Sequence, residues 1–245
     1  MKKRLALPSM LMPVFLFFWG IGCNDSGGDN NAAGEGGGCP QPTLDISVCD
    51  PGAGLFSLTI DNEFLPLEVG AQSVLEGEDD QGVTTRVEID VLDETEDVAG
   101  VTTRVVRETA HEDGELVEIA WNWFAQAPDG TLCYFGEDVD IYEGGQVVSH
   151  EGAWRAGESG NQPGIMMPGN PQVGDAFKQE HAPGVAEDSS EILAFGEEIA
   201  VPAGTFDDTM TAEDCNPLGG VSTDRKVYVR GIGLAVDEHA ELVSY

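Results

Sequence analysis

Hydrophobic and polar residues alternate with a period of two along much of the chain. In Val83–Leu92 every second residue is Val, Thr or Ile and the residues between them are mainly charged, and Val101–Thr109 repeats the pattern. Such alternation predicts half-buried β-strands with one wet face. No segment keeps apolar residues at helical spacing for three turns, and Val185–Phe195 is the best helical candidate. The pattern therefore predicts a nearly all-β, antiparallel domain built as successive hairpins.

Turn and breaker residues divide this domain. Leu55–Ile60 is the predicted first strand, and Gly144-Gly145 permits the positive φ angles of a tight hairpin. Residues 156–174 contain so many glycines and prolines that they predict a long loop. We therefore expect one β domain over residues 55–245, folded as a strongly curved sheet or a half-open β-barrel.

An aromatic hairpin is the densest apolar feature. Residues 121–136 place two aromatic runs on either side of Ala127-Pro128-Asp129-Gly130, a sequence typical of a chain reversal. Alternation directs the side chains of its two tryptophans to one face of the strand. Either these rings are simply core, or they line an apolar cavity closed by residues 156–174. The candidate ligand-binding residues are Trp121, Trp123, Phe124, Tyr134 and Trp154.

The N-terminus predicts export. Residues 1–22 have a basic start and a short, proline-interrupted apolar core, as in a secretory signal peptide. Gly20-Ile21-Gly22-Cys23 resembles the lipobox of bacterial lipoproteins, which implies lipidation of Cys23. The alternative is an ordinary signal cleaved near Gly22. Residues 23–54 would then hold the lipidated cysteine, a Gly/Asn-rich flexible tether and a small cap. The expected location is the bacterial cell envelope, anchored at the outer membrane or cell surface, or otherwise secreted.

Charge restricts the partners. The chain has 11 basic and 45 acidic residues and a formal net charge of −34. Removing residues 1–22 takes away Lys2, Lys3 and Arg4 but no acidic residue, which leaves 8 basic residues and a charge of −37. Such a charge repels nucleic acid and anionic lipid, so we expect no nucleic-acid partner and bilayer contact only through the anchor. We expect a monomer.

Five cysteines are present, and lipidation of Cys23 leaves Cys39, Cys49, Cys133 and Cys215. Disulfides persist in exported proteins. Three pairings are possible, and the most parsimonious joins Cys39 to Cys49 within a small cap and Cys133 to Cys215 across the fold.

Three spaced motifs carry a family resemblance. Residues 62–70 (NEFLPLEVG), 199–206 (IAVPAGTF) and 225–235 (RKVYVRGIGLA) resemble the PLxxG, VPAGTF and YxxGIGL motifs of uncharacterised bacterial secreted proteins and lipoproteins. Some of these are similar to the half-open barrels of periplasmic lipoprotein carriers. The resemblance covers roughly residues 60–240 and implies a fold and a compartment, but no reaction. The family's opening motif commonly continues to a tryptophan and a tyrosine, where this chain has Val74 and Leu75. The resemblance therefore does not imply which residues would line a ligand cavity.

Chemistry-bearing motifs are few. Glu137, Asp138 and Asp140 offer oxygen ligands for Ca²⁺, but acidic residues on alternating strands are usually a solvated face. No serine lies in a G-x-S-x-G elbow, and no other catalytic motif is present. We therefore predict a non-enzymatic envelope protein that binds an apolar ligand or protein partner. The alternatives are a structural lipoprotein whose acidic surface binds divalent cations, and an unrecognised hydrolase.

Overall fold

The computed structural model describes residues 38–245. The predicted signal peptide (1–22), the lipidation site Cys23 and most of the tether lie outside the described residues. Within them, no helix is long and apolar enough to cross a membrane, and the helical structure is one 3₁₀ turn, Ile46–Cys49. The strands are β1 Gln72–Glu78, β2 Thr84–Val98, β3 Val101–Glu112, β4 Glu115–Gln126, β5 Leu132–Glu143, β6 Gln146–Ser149, β7 Trp154–Arg155, β8 Gly164–Met167, β9 Ala176–Lys178, β10 Ser189–Phe195, β11 Ile199–Val201, β12 Gly204–Phe206, β13 Thr209–Asn216, β14 Ser222–Val229, β15 Gly233–Asp237 and β16 Ala240–Ser244.

Fourteen of these strands form one antiparallel sheet. Its order is β6-β5-β4-β3-β2-β1-β16-β15-β14-β13-β10-β9, with β7 and β8 also paired to β5. The short hairpin β11–β12 stands apart. Most neighbours are consecutive in the chain, as expected for a hairpin-built sheet. The predicted nearly all-β, antiparallel fold is confirmed, and the sheet curves without closing into a barrel.

Three local predictions change. Leu55–Ile60 is not a strand, since Ser57 alone pairs with Gln126 as an isolated bridge. The helical candidate Val185–Phe195 supplies β10, which is held between β9 and β13, so tertiary pairing decides its structure. The long loop over residues 156–174 contains the four-residue strand β8.

The disulfide pairing predicted from the sequence is wrong. Cys39 is bonded to Cys215, and Cys49 to Cys133, with sequence separations of 176 and 84 residues. A short loop is the cheapest to close in an unfolded chain, but the fold brings distant cysteines together. Cys39 therefore joins β13, near one end of the sheet, and Cys49 joins β5, near the other end.

Residues 39–60, which we call the strap, cross between these two ends of the sheet. Thr43 and Leu44 donate their backbone N–H groups to Ala176 O of β9, at 2.7 and 3.1 Å. Farther along the strap, Ser57 exchanges backbone hydrogen bonds with Gln126 of β4. The strap and its two disulfides thus hold together the ends of a sheet that does not close on itself.

The inner face of the sheet has two chemically different halves. The apolar half is occupied by hydrophobic side chains from β2, β3, β4, β15 and the loop before β1. The polar half lies farther along β3, β4 and β15, extends onto β5, β13 and β14, and carries buried ionisable groups. The apolar half consists of Leu65, Leu67, Val91, Val106, Phe124 and Leu234. The polar half consists of Glu108, Glu118, Asn122, Glu137, Asp214, Lys226 and Asp237.

Candidate functional site

A β-bulge in β5 directs Glu137 into the polar half. Asn122 and Phe124 of β4 oppose Glu137 and Tyr134 of β5, so the intervening steps are two on β4 and three on β5. Gly136 absorbs the extra residue at φ +122°, and a Cβ there would lie 2.3 Å from Trp154 O. Tyr134 and Glu137 consequently share the inner face, although strict alternation would separate them. Gly136 is required both for this φ and for the close approach of β7.

The polar half opens into a cavity of about 300 Å³. Three carboxyl side chains line its inner part, and loop residues form its mouth. The side chains of Glu137, Glu180 and Asp188 are 6%, 1% and 2% exposed. A cavity of this volume lies at the lower end of the range for small-molecule sites. The other lining residues are Glu151, Gly152, Gly184, Val185, Ala186, Asn216, Leu218 and Gly219.

The loop after β9 sets two of these carboxyls side by side. The backbone N–H groups of Gln179 and Glu180 both donate to Asp188 O, at 2.9 and 3.2 Å. Between them the loop turns back at Pro183-Gly184, and Ala182 pairs with Ala186. Trp154 Nε1 donates to Glu180 Oε1 at 3.1 Å, which fixes the Glu180 carboxyl beside β7.

Asp188 has an unused acceptor. Its Oδ1 is buried and has no hydrogen-bond partner among the described residues. Buried polar atoms are almost always hydrogen-bonded, so an exception at a cavity wall calls for an explanation. Burial, together with the nearby carboxyl of Glu180, raises the pKa of Asp188 to about 10. A partner of opposite charge would remove this cost.

The other two cavity carboxyls are similarly destabilised as anions. Burial, followed by the charge of Glu118, raises the pKa of Glu137 well above its ordinary value. Burial, followed by the charge of Glu137, raises the pKa of Glu180 in the same way. Each of the three carboxyls therefore resists ionisation, and a positive charge that enters the cavity would favour its anionic form.

Deeper in the polar half, Lys226 compensates part of the negative charge. Its Nζ lies 2.6 Å from Asp237 Oδ1 and 3.9 Å from Asp214 Oδ2. Burial alone would lower the pKa of Lys226, but Asp237 and Asp214 together raise it. Glu108 and Glu118 each keep a buried Oε2 for which residues 38–245 provide no hydrogen-bond partner. Burial raises the pKa of Glu118 to about 8.

The five candidate aromatic residues do not form one binding surface. Trp121 and Trp123 lie on the face of β4 opposite to Phe124, where Trp123 is buried and the Arg155 guanidinium lies 4.2 Å from the centre of its ring. The other three, Phe124, Tyr134 and Trp154, pack against one another. Their ring centres are 4.9 Å apart for Phe124 and Tyr134, and 5.3 Å apart for Tyr134 and Trp154. None of the five is among the residues that line the acidic cavity.

The three candidate calcium ligands are also separated. Glu137 faces inward, whereas Asp138 is exposed on the opposite face of β5 and Asp140 lies 3.0 Å from His150 Nδ1. Over residues 38–245, no group of three His, Cys, Asp or Glu side chains is arranged to hold a metal ion. The alternation of the strand thus keeps this acidic run from converging.

Sequence reasoning missed Glu180 and Asp188. The available signals were weak but physical. Gly136 inside a strand pattern is a typical mark of a bulge, and a Pro-Gly turn between Glu180 and Asp188 brings two carboxyls together at its base. Neither signal indicates that these carboxyls face a cavity, which depends on the curvature of the whole sheet.

No protein-family model matches this chain, and no curated protein matches it in sequence. Among solved structures, the chain is similar to a putative lipoprotein from Parabacteroides distasonis. The two share 16% sequence identity over 75% of this chain and 98% of that chain, with a TM-score of 0.32. A likeness at this level carries no argument about function.

Proposed function

We propose that this protein is an exported, non-enzymatic binding protein of the bacterial cell envelope, anchored through Cys23, whose interior cavity takes a small organic cation. The observation that carries the ligand class is the convergence of the buried carboxyls of Glu137, Glu180 and Asp188 on one cavity, where Asp188 Oδ1 has no hydrogen-bond partner among residues 38–245. A cation supplies the charge and the hydrogen bonds that this wall lacks.

Export is supported by two further features. The strap is fixed by two disulfides, which persist in oxidising compartments such as the periplasm and the cell surface. The sequence of residues 1–23 supplies the signal and the lipobox-like cysteine. Mass spectrometry of the mature N-terminus tests the anchor. A lipidated Cys23 is expected, and an unmodified N-terminus beyond it would contradict anchoring.

An organic cation fits the cavity better than a bare metal ion. The volume of about 300 Å³ is large for an ion, and Val185, Ala186 and Leu218 add apolar surface beside the carboxyls. A ligand with a charged head and a short apolar part uses both kinds of lining. The carboxyls receive the head, and the apolar residues near the mouth cover the remainder.

Calorimetric titration tests this function. The probes are hexylamine, hexyltrimethylammonium and hexanol, which share an apolar chain, and high salt suppresses cation binding to the acidic surface. We expect at least one of the two cations to bind with a Kd of about 1 mM or tighter, from typical ligand efficiencies, and hexanol to bind far more weakly.

Asp188→Asn and Asp138→Asn form a matched pair of variants, because each removes one carboxylate while only Asp188 lines the cavity. We expect Asp188→Asn to weaken cation binding at least tenfold and Asp138→Asn to leave it unchanged. Failure of both cations to bind, or equal effects of the two variants, would rule out the proposed cavity function.

An apolar ligand is the second candidate, favoured by a small pocket in the apolar half. This pocket, between Leu67, Val91 and Phe124, has a volume of only about 50 Å³, enough for a few atoms. A lipophilic dye that binds with quenching of tryptophan fluorescence would support this ligand class. Calcium binding by the acidic surface is a third proposal, for which a melting temperature raised by Ca²⁺ but not by the organic cations would be the sign.

A further inference from the structure

The acidic cavity offers hydrogen-bond acceptors but no aromatic surface. Its inner part presents the carboxyls of Glu137, Glu180 and Asp188, and its mouth presents Glu151. The lining side chains that remain are small or aliphatic, apart from Asn216, and none is aromatic. The chemistry of the wall can therefore distinguish between kinds of organic cation.

Quaternary ammonium groups have no N–H to donate, and proteins recognise them mainly through the faces of aromatic rings. Trp154, which contacts the cavity carboxyl of Glu180, is committed elsewhere. Its Nε1–H donates to Glu180, and its ring meets the Tyr134 ring edge-on at 5.3 Å. A trimethylammonium group in this cavity would leave Asp188 Oδ1 without a hydrogen bond.

A primary ammonium group has three N–H donors, which match a wall made of carboxyl oxygens. We propose that the ligand of this cavity is a small primary amine, bound as its ammonium ion, which donates hydrogen bonds to Asp188 Oδ1 and to carboxyl oxygens of Glu137 and Glu180. This inference rests on the proposed function, that the cavity takes an organic cation, and names the chemical class of that cation.

Binding of this ligand releases protons. Without a cation, burial raises the pKa values of all three carboxyls, to about 10 for Asp188, so the Asp188 carboxyl keeps its proton at neutral pH. When R–NH₃⁺ enters, a carboxyl loses H⁺ to solvent and its carboxylate accepts an N–H hydrogen bond. Affinity should therefore rise as pH increases from 6 to 9 and fall again near the pKa of the free amine, about 10.5.

The surrounding charges act in both directions on this exchange. Neighbouring carboxylates favour the protonated form of the cavity carboxyls, and neighbouring lysines favour loss of the proton. The titratable groups whose charges act on Glu137, Glu180 and Asp188 are Glu118 of β4, Tyr134 of β5, Lys178 of β9, Asp214 of β13, Lys226 of β14 and, from the opposite face of β5, Asp138. These protein side chains surround either hexyl cation in the same way. The comparison of the two probes therefore isolates the N–H donors and the size of the cationic head.

The test compares hexylamine with hexyltrimethylammonium on the whole mature chain by calorimetry. Titrations in two buffers of different ionisation enthalpy count the protons released. We expect hexylamine to bind at least tenfold more tightly and to release a proton at pH 7, and Asp188→Asn to abolish most of the preference. Glu180→Gln serves as a second variant if Asp188→Asn does not fold.

Equal affinity for the two cations, or hexylamine binding without proton release, would overturn the amine while leaving the cation-binding function in place. Failure of both cations would overturn the function and the amine together. Tighter binding of the trimethylammonium probe would also exclude the amine, because it would show that N–H donors contribute nothing.

Discussion

The two halves of the inner face share strands β3, β4 and β15 but have opposite properties. On β3, Val106 belongs to the apolar half, and Glu108, two residues later on the same face, belongs to the polar half. On β4, Phe124 and Glu118 are divided in the same way. In the apolar half, buried rings stack and close the space between strands. In the polar half, buried carboxyl oxygens remain without partners.

This difference indicates where stability and function reside. Apolar burial contributes about 25 cal/mol per Å² to folding, whereas each buried polar atom without a partner costs about 1–3 kcal/mol. The polar half therefore lowers the free energy of unfolding. Such conflicts between local chemistry and stability concentrate at functional sites. Favourable contributions to the free energy of folding from the apolar half and the strap would offset this cost.

The largest expected effect comes from breaking the apolar half. Phe124→Ala removes a ring that is 3% exposed and stacked on Tyr134, so we expect a loss of about 3–5 kcal/mol in the free energy of unfolding. Phe195→Ala is the control, because its ring is 39% exposed. Urea unfolding measures both losses. Similar losses for the two variants would show that the apolar half is not the main support.

A somewhat smaller effect is expected from Lys226→Met in the polar half. Removal of the lysine leaves Asp237 and Asp214 without their buried cation, which costs about 3 kcal/mol at pH 8. Burial already raises the pKa of Asp214 to about 6, and loss of the lysine raises it further. At pH 5 the Asp214 carboxyl is then neutral, and burial favours the neutral form of Asp237 as well, so the cost should shrink.

The pH dependence of this loss distinguishes the two halves. Urea unfolding at pH 5 and pH 8 should give a pH-dependent loss for Lys226→Met and a pH-independent loss for Phe124→Ala. An equal loss for Lys226→Met at both pH values would mean that the lysine acts through packing and not through charge.

Alternation was enough to predict the strands, because side chains in a half-buried sheet follow the pleat. The same rule could not predict the site. Glu137 faces inward because of the bulge at Gly136, and Asp188 faces the cavity because a loop returns to the strand it left. The disulfides were mispaired for a related reason, since Cys39 and Cys49 are close in sequence but reach opposite ends of the sheet. The orientation of Glu137, the orientation of Asp188 and the disulfide pairing all depend on how separate segments pair in the folded sheet, which alternation within one segment does not encode.

The smallest expected effect, that of Asp188→Asn, is the most specific to the polar half, and it is a gain in stability. The folded-state pKa of Asp188, about 10, lies above its ordinary value of 3.8, so the folded protein keeps a proton that the unfolded chain releases above about pH 4. Its contribution to stability is therefore present below that pH and is lost as pH rises towards 10. Asp188→Asn has no proton to lose and should stabilise the protein at pH 8 by at least about 1 kcal/mol, with little change at pH 4.

Asp138→Asn removes a carboxylate of the same charge from the exposed face of β5, and we expect almost no change at either pH. Thermal unfolding of the two variants at pH 4 and pH 8 therefore separates burial from net charge. A gain in stability accompanied by loss of cation binding would show that Asp188 serves the cavity at the expense of the fold. A loss of stability in Asp188→Asn at pH 8 would instead show that the Asp188 side chain stabilises the fold, as the residues of the apolar half do.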